Sequence, residues 1–321
     1  MTYLEAAEFL KSHDNYLLLT HKRPDGDTIG SAVGLCELLR AMGKTAWLLP
    51  SLDATKVFQD YLQGRQAPPD FAPGTVVSVD VASLGLLPAN AAPYQGRIDL
   101  AIDHHPSNEF FAQETCLEAD TAACGEIVWK IADRLGIMNS AIATPLYVAV
   151  ATDTGCFVYG NTTPHTHRVA AALMEQDIPY QALNKRHFRT KSLRRMKLES
   201  LILQNMKLYQ EGTVAVAPIS LAMMAQANAT DDDAEDIAAF LGQIEGVLHS
   251  ATIRELRPGE CKISLRTNPN YLNATATCAR LGGGGHVAAS GCTVRGTVDE
   301  AETAILEAIY AQLAEQARTG L

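Results

Sequence analysis

Long apolar runs are missing from this chain. No stretch approaches the roughly 18 to 20 apolar residues that cross a bilayer, and the segment Met1–Glu5 lacks the basic start of a secretory signal. The seven cysteines are odd in number and include no Cys-x-x-Cys pair, so neither a disulfide framework nor a zinc ribbon is indicated. These absences predict a soluble protein that stays in a reducing cytoplasm and has no membrane partner.

Positive charge is also scarce. The chain has 26 Lys and Arg against 36 Asp and Glu, which gives a net charge of -10. Binding to duplex nucleic acid draws its affinity mainly from the cationic neutralisation of many phosphates, so duplex DNA is not an expected partner. A short RNA or a nucleotide remains compatible, because such a ligand needs positive charge only locally.

The remaining composition is that of a folded protein. Hydrophobic residues make up 47% of the 321 residues and charged residues 19%, which leaves no room for extended disorder. Single cores tend to split above roughly 250 to 300 residues, so we expect two domains. Short apolar runs alternate with helical segments up to about residue 160, which predicts an α/β domain with a largely parallel sheet. We place this first domain at residues 1–187.

A basic segment separates this pattern from the rest of the chain. Lysines and arginines concentrate between residues 185 and 197, and spaced leucines and methionines predict a connecting helix. Strand-like runs beyond this segment predict a second, smaller α/β domain. We therefore assign residues 188–210 to a helical linker and residues 211–321 to the second domain.

Local signals predict individual elements. In the first domain they predict strands at 16–20, 45–49, 76–81 and 100–103 and helices at 29–42 and 126–135, while 140–151 fits a buried helix or a strand equally well. Asp27 or Thr28 is the expected N-cap of the first of these helices, and Gly30 and Gly34 allow close packing. In the second domain the signals predict strands at 213–219, 247–254 and 261–266, an acidic helix start at 231–235 and a C-terminal helix at 299–317.

Apolar runs in the first domain end in side chains of the types that bind metals. His21, Asp25 and Asp27 follow one run, Asp80 follows a second, Asp103-His104-His105 ends a third, and Asp153 closes a fourth. Each residue alone has a simpler explanation, such as a turn, a cap or a structural histidine. The carboxyl ends of parallel strands converge on one crevice, so the shared placement of these residues favours a single metal centre.

The donor types predict two divalent cations. Carboxylates suit hard cations, and the imidazoles of His21 and His104 shift the preference from Mg²⁺ toward Mn²⁺. We expect Mn²⁺ first, with Mg²⁺ or Co²⁺ as alternatives. Two ions about 3.5 to 4 Å apart need a bridging carboxylate, and Asp80 is the expected bridge. Such a site activates water for the hydrolysis of a phosphoester.

These segments, in their order along the chain, resemble the four motifs of the DHH phosphoesterase superfamily. The resemblance implies that His21, Asp25 and Asp80 hold one metal and that Asp27, Asp80, His104 and Asp153 hold the other. It further implies catalytic roles for the two remaining residues of the triplet. His105 would approach the substrate phosphate, and Asp103 would orient the triplet.

The segment 281–291, with its run of four glycines before His286, resembles the Gly-Gly-Gly-His motif of the DHHA1 domain. The glycines and the small residues behind them predict an anion-binding nest at a helix N-terminus, although a bare glycine run is usually a flexible linker. The resemblance also implies that Arg266 contacts substrate, although a surface arginine is the simpler reading. The expected substrate-binding residues are Arg266, Gly283, Gly284, Gly285 and His286.

By size and domain order the resemblance is closest to the group of bifunctional oligoribonucleases and 3',5'-bisphosphate nucleotidases. This implies a metal-dependent phosphoesterase for short RNA, linear dinucleotides or adenosine 3',5'-bisphosphate, in which the second domain grips the nucleotide. An inorganic pyrophosphatase shares the first-domain motifs but has a different second domain. A noncatalytic nucleotide-binding regulator is a further alternative, and a homodimer is left open.

Overall fold

The computed structural model of the protein describes residues 1–234 and 237–319. The chain divides into two units, Met1–Thr190 and Lys191–Leu321, and each has its own sheet and hydrophobic core. Among the helices of the described residues, none combines the length and the apolar character that crossing a bilayer requires.

The first unit alternates strands and helices. Its strands are β1 (Tyr16–Leu19), β2 (Ala46–Leu48), β3 (Thr75–Val79), β4 (Leu100–Asp103) and β5 (Glu114–Leu117). Its α-helices are α1 (Tyr3–Ser12), α2 (Gly26–Ala41), α3 (Gln59–Leu62), α4 (Cys124–Leu135), α5 (Ser140–Asp153), α6 (Pro164–Met174) and α7 (Tyr180–Asn184). Two 3₁₀ helices, Leu84–Leu86 and Ala89–Tyr94, and one π-helical turn, Lys185–Arg189, complete the unit.

The strands of the first unit form one parallel sheet in the order β2-β1-β3-β4-β5. Every residue of β1, β3 and β4 is buried, because helices cover both faces of a parallel sheet. This explains why these strands are continuous apolar runs in the sequence, and it confirms the predicted fold class. The carboxyl ends of β1, β3 and β4 lie side by side at one edge of the sheet.

Helices α2 and α5 pack closely against each other. A Cβ atom added at Gly30 would lie 2.4 Å from the carbonyl oxygen of Pro145, and one at Gly34 would lie 2.4 Å from the Leu146 side chain. The predicted role of these glycines in close packing is thus confirmed. Helix α5 is the segment that the sequence left ambiguous, because a helix that is apolar on every face has no amphipathic period.

The predicted N-cap of α2 is wrong. The helix begins at Gly26, and Asp25 caps it by accepting a hydrogen bond from the backbone N–H of Thr28 at 3.1 Å. Asp27 instead accepts hydrogen bonds from the backbone N–H groups of Cys124 and Gly125, in the first turn of α4. The Asp27 side chain therefore connects α2 to α4 and does not cap α2.

The second unit contains a mixed sheet with helices on both faces. Its α-helices are α8 (Leu193–Asn205), α9 (Leu221–Ala227), α10 (Ala274–Ala279) and α11 (Val298–Thr319). Its strands are β6 (Lys207–Tyr209), β7 (Val214–Ile219), β8 (His249–Arg257), β9 (Glu260–Thr267), β10 (Gly284–His286) and β11 (Ala289–Arg295). They are ordered β10-β11-β9-β8-β7-β6, with β7 and β8 parallel and the other neighbours antiparallel.

Helix α8, predicted as a connector, packs on the sheet of the second unit. Its Leu198 and Ile202 are buried in one cluster with Ala215 and Ala217 of β7. The acidic helix start predicted at 231–235 is not observed among the described residues. Short 3₁₀ turns at Asp231–Ala234, Ile237–Ala239 and Leu241–Gln243 occupy this region, and Glu235 lies outside the described residues.

The predicted helix start behind the glycine run is also wrong. Residues Gly284–His286 form β10, which pairs with β11, so the glycines lie in a β-hairpin. A Cβ atom added at Gly283 would lie 2.2 Å from the carbonyl oxygen of Gly291. Gly283 therefore permits a close approach of two backbone segments. The same run of glycines in the sequence would also suit a flexible anion-binding loop.

Candidate metal centre

The metal-binding side chains of the first unit come from the carboxyl edge of its sheet and from two helix ends. Asp80 directly follows β3, and Asp103 ends β4, with His104 and His105 behind it. The remaining donors lie on the loop after β1, in the first turn of α2 and at the last residue of α5. They are His21, Asp25, Asp27 and Asp153.

Three groups of potential ligand atoms meet at this edge. The atoms of each group lie within 4.8 Å of one another, and the groups are His21, Asp25 and Asp80; Asp27, His104 and Asp153; and Asp80, His104 and His105. Asp80 and His104 each belong to two groups. The structure thus brings His21, Asp25 and Asp80 to one position and Asp27, His104 and Asp153 to another, and His104 also forms a group with Asp80 and His105.

His104 lies at the centre of these contacts. Its Nε2 atom is 3.6 Å from Oδ2 of Asp27, 3.6 Å from Oδ1 of Asp80 and 3.8 Å from Oδ2 of Asp153. Adjacent ligand atoms around an octahedral ion at about 2.1 Å are separated by about 3 Å. The distances from His104 to these three carboxylates are thus slightly longer than those between neighbouring ligands of one ion.

Asp80 is held in an unfavourable state by its surroundings. Its φ angle is +58°, in the left-handed region, and its side chain is buried. Oδ2 accepts a hydrogen bond from the hydroxyl of Thr28, whereas Oδ1 is buried and has no hydrogen-bond partner among the described residues. An unpartnered buried oxygen costs free energy unless a cation satisfies it, so this carboxylate fits a metal ligand, and its strained backbone is typical of functional sites.

Asp27 is oriented by hydrogen bonds to both carboxylate oxygens. Oδ1 accepts from the Ser31 hydroxyl at 2.8 Å and from the Gly125 N–H at 3.0 Å, and Oδ2 accepts from the Cys124 N–H at 2.7 Å. The positive end of the α4 dipole also faces this carboxylate. The sequence analysis did not predict that Ser31, Cys124 and Gly125 support Asp27. These residues are small, and Cys124 and Gly125 begin a helix, but neither feature indicates a contact with a distant carboxylate.

Asp103 organises the triplet. Its Oδ1 accepts from Nδ1 of His105 at 2.8 Å and from the backbone N–H of His104 at 2.8 Å. Its Oδ2 accepts from the side-chain amide of Asn108 at 2.6 Å. Asn108, buried five residues after Asp103, was missed in the sequence because a single loop asparagine is a common turn residue.

The pKa values of the cluster are displaced from their ordinary ranges. Burial raises the pKa of Asp27, Asp80 and Asp153 to about 7, and neighbouring carboxylates act in the same direction. The hydrogen bond that His105 donates to Asp103 raises the pKa of His105 to about 9 against the opposing effect of burial. These crowded carboxylates retain protons near neutral pH. Bound divalent cations would replace the protons and offset the repulsion between the carboxylates.

Two of the predicted substrate residues of the second unit, Arg266 and His286, lie in one row of its sheet. Arg266 of β9 pairs with Ala289 of β11, and Ala289 pairs with His286 of β10. Directly paired residues project from the same face, and two strand spacings place Arg266 and His286 about 10 Å apart. Gly284 and Gly285 lie in the same hairpin, and His286 is exposed.

Known proteins match both units. Residues 15–150 match the DHH family, N-terminal domain, and residues 211–315 match the DHHA1 domain. The bifunctional oligoribonuclease and PAP phosphatase NrnA of Thermus thermophilus is 31% identical over 318 residues, which cover 96% of this chain and 93% of that protein. The protein of the same name from Bacillus subtilis is 24% identical over 90% of this chain and 92% of its own length.

A solved structure shows the same fold over nearly the whole chain. The crystal structure of an exopolyphosphatase-related protein from Bacteroides fragilis superposes with a TM-score of 0.86. The two chains are 23% identical, and the superposition covers 96% of each. The fold of this chain is therefore one that an independent chain also adopts.

Proposed function

We propose, because the chain belongs to the DHH family and carries a DHHA1 domain, that it is a phosphoesterase of short nucleic acids and nucleotides. Its substrates would be short oligoribonucleotides, linear dinucleotides and adenosine 3',5'-bisphosphate. The observation that carries this proposal is the cluster of three overlapping metal-binding groups, two of which contain Asp80, at the edge of the sheet where substrates bind. The relatives named oligoribonuclease and PAP phosphatase support the substrate class, since they align over almost the whole chain.

DHH phosphoesterases use divalent metals, and the donor set of this chain fits them. We propose that His21, Asp25 and Asp80 hold one ion and that Asp27, Asp80, His104 and Asp153 hold the other. Two cations bound there would supply an activated water and neutralise charge on the phosphate. The mixed carboxylate and imidazole donors favour Mn²⁺, with Mg²⁺ or Co²⁺ as alternatives.

We propose that His105 acts on the substrate. Its Nδ1 atom donates a hydrogen bond of 2.8 Å to Oδ1 of Asp103, so Nε2 is the nitrogen that this bond leaves for the substrate. In the metal-free protein, the hydrogen bond to Asp103 raises the pKa of His105 to about 9. We propose that His105 donates a charge-assisted hydrogen bond to the substrate phosphate and that Asp103 and Asn108 hold it in position.

A substrate panel tests the proposal. Purified protein with added Mn²⁺ would be incubated with RNAs of two to five nucleotides, a linear dinucleotide, adenosine 3',5'-bisphosphate and pyrophosphate. We expect hydrolysis of the nucleotide substrates and little of pyrophosphate. The DHHA1 match at residues 211–315 disfavours the pyrophosphatase alternative, and a preference for pyrophosphate would overturn this choice. Nucleotide binding without any turnover would instead support the regulator.

The identity of the metal needs its own measurement. Metal-free protein would be reconstituted separately with Mn²⁺, Co²⁺ and Mg²⁺, and the activity and bound metal would be measured for each. We expect two ions per chain and the highest kcat with Mn²⁺. Equal activity with Mg²⁺ would contradict the argument from the two histidines.

A further inference from the structure

The turn that follows α5 has a strained backbone directly behind a candidate metal ligand. Helix α5 ends at Asp153. The φ angles of Gly155, Cys156 and Phe157 are +56°, +59° and +67°, all in the left-handed region. Two of these residues carry a Cβ atom, for which this region is unfavourable. Such strain persists only where the surrounding structure holds it, and it concentrates at functional sites. We call residues 154–161 the α5 turn.

Contacts to α5 and α6 hold the strained part of the α5 turn. The hydroxyl of the buried Thr154 accepts a hydrogen bond of 3.1 Å from the backbone N–H of Phe157. The N–H of Cys156 donates to the carbonyl oxygen of Ala151 at 2.7 Å. The Phe157 ring stacks on His167 of α6, with the ring centroids 5.3 Å apart. These contacts fix the conformation of the turn in spite of its strain.

Asn161 joins the end of the α5 turn to the metal centre. Its side-chain amide donates to the carbonyl oxygens of Asp153 at 3.1 Å and of Ala122 at 3.0 Å. Ala122 follows Thr121, whose carbonyl oxygen lies 3.3 Å from Nδ1 of His104. The α5 turn therefore lies beside two of the candidate ligands, Asp153 and His104.

Tyr159 is the aromatic residue that the α5 turn exposes, with 56% of its surface accessible. Its backbone N–H donates to the carbonyl oxygen of Thr154 at 3.0 Å. A Cβ atom added at Gly155 would lie 2.5 Å from both Cε1 and Cζ of the Tyr159 ring and 2.7 Å from Cε2. Contact with three atoms of the ring at once places Gly155 against one ring face. The exposed surface is therefore available on the other face.

The position of this ring suits a base of a bound nucleotide. Gly155 follows Asp153 by two residues, which span at most about 7 Å. The Tyr159 ring touches Gly155 and therefore lies within about 10 Å of the Asp153 backbone. A nucleotide with its phosphate at the metal centre carries its base one sugar away, a separation of the same order. Because the turn holds the ring in place beforehand, little conformational freedom is lost when a base stacks on it.

We propose that Tyr159 stacks on a base of the nucleotide whose phosphate occupies the metal centre. This inference rests on the proposed function and adds a substrate-binding residue within the first unit. The ligand is an unpaired nucleobase, because a base inside a duplex must leave the stack before a side chain can cover its face. Every base has a π face, so the contact tolerates different sequences.

The test compares a dinucleotide, ApA, with its abasic counterpart, in which hydrogen replaces both bases. The full-length protein with Mn²⁺ and its Tyr159→Ala variant would be assayed for KM and kcat on both compounds. We expect Tyr159→Ala to raise KM for ApA about tenfold, with KM for the abasic compound and both kcat values changed less than about twofold. Tyr159→Trp keeps an aromatic face and should retain the low KM. Tyr159→Leu still covers Gly155 but has no aromatic face, and it should behave like Tyr159→Ala.

A matched control and a binding measurement separate the possible failures. Val158→Ala changes the neighbouring side chain of the α5 turn, which is 80% exposed and has no ring, and it should leave both KM values unchanged. Calorimetry in the presence of Mn²⁺, with non-hydrolysable phosphonate analogues of the two compounds, measures binding without turnover.

Tighter binding of the analogue that carries bases, lost in Tyr159→Ala and kept in Tyr159→Trp, would support the inference even if no substrate were hydrolysed and the proposed function failed. Equal affinities of the unmodified protein for the two analogues, or no binding of either, would overturn it. Equal effects of Tyr159→Ala on the two compounds would also overturn it, while hydrolysis in the substrate panel would stand.

Discussion

Thr28 donates a hydrogen bond of 2.6 Å from its buried hydroxyl to Oδ2 of Asp80, 52 residues further along the chain. The bond joins the first turn of α2 to the residue that follows β3. It leaves Oδ1 of Asp80 directed toward the triplet, 3.6 Å from Nε2 of His104 and 3.5 Å from Nδ1 of His105. Thr28 therefore determines which oxygen of the shared carboxylate faces the candidate metal positions.

Replacing Thr28 with valine removes this hydroxyl at nearly constant volume. Partners that orient metal ligands typically contribute ten- to hundredfold to metal affinity, so we expect Thr28→Val to weaken Mn²⁺ binding by about this factor. Titration calorimetry on metal-free protein measures the effect. Thr144→Val is the control, because the Thr144 hydroxyl bonds only to the Ser140 carbonyl within α5. An unchanged affinity in Thr28→Val would show that the bond does not position Asp80.

Asp80→Ala removes the carboxylate that two of the donor groups share. We expect the variant to bind fewer than two ions per chain and to lose at least about a hundredfold in kcat, since a shared ligand supports both positions. Elemental analysis and steady-state assays provide the two measurements. Asp133→Ala, which removes an exposed aspartate of α4, should match the unmodified protein. Two bound ions and a near-normal kcat in Asp80→Ala would refute the bridging role.

Metal binding should depend on pH. Burial raises the pKa of Asp27, Asp80 and Asp153 to about 7, so in the metal-free protein these groups hold protons below that pH. A cation must displace each proton, and its affinity therefore falls as the pH decreases from 8 to 6, by up to about tenfold per unit for each proton displaced. Calorimetry in buffers of different ionisation enthalpy would count the released protons. A dissociation constant that is flat across this range would contradict the prediction.

Arg266→Ala should act on substrate binding and leave the chemical step intact. Arg266 belongs to the second unit, whereas the metal-binding groups belong to the first, and a charge-assisted contact to phosphate that is equal in the ground and transition states changes KM alone. We expect KM for short RNA to rise about tenfold and kcat to change less than about threefold. Arg257→Ala is the control on the same sheet, because Arg257 is exposed and pairs with Glu260. A large loss of kcat in Arg266→Ala would indicate a direct role in catalysis.

The sequence predicted the architecture of the first unit because buried parallel strands are recognisable as continuous apolar runs. Leu17–Leu19 and, apart from Ser78, Val76–Val79 are apolar on both faces, and a polar residue marks the point where each strand reaches the edge of the sheet. The shared edge of a parallel sheet then implies that these polar residues meet. No such rule gives the orientation of each carboxylate, which depends on Thr28, Ser31 and Asn108.

The errors have a common physical origin in contacts between distant residues. Asp25 and Asp27 are equally good caps by their local sequence, and a hydrogen bond from Cys124, 97 residues away, decides between them. The glycines before His286 suit a nest or a hairpin equally well. The approach of the Gly291 carbonyl to Gly283 selects the hairpin, and this contact has no signal in either segment alone.

Gly30→Ala tests whether the close packing of α2 and α5 supports the metal centre. The added Cβ would lie 2.4 Å from the Pro145 carbonyl oxygen and 2.7 Å from the Ala149 amide nitrogen, both backbone atoms. The helices must separate, so we expect a loss of about 1 to 3 kcal/mol in the free energy of unfolding. Asp27 in the first turn of α2 and Asp153 at the end of α5 would move apart, and Mn²⁺ affinity should fall with stability. Gly96→Ala, whose added Cβ meets no atom within 4 Å, should change stability by less than about 0.5 kcal/mol. Urea unfolding and metal titration that match the unmodified protein in Gly30→Ala would show that the two helices can shift without disturbing the site.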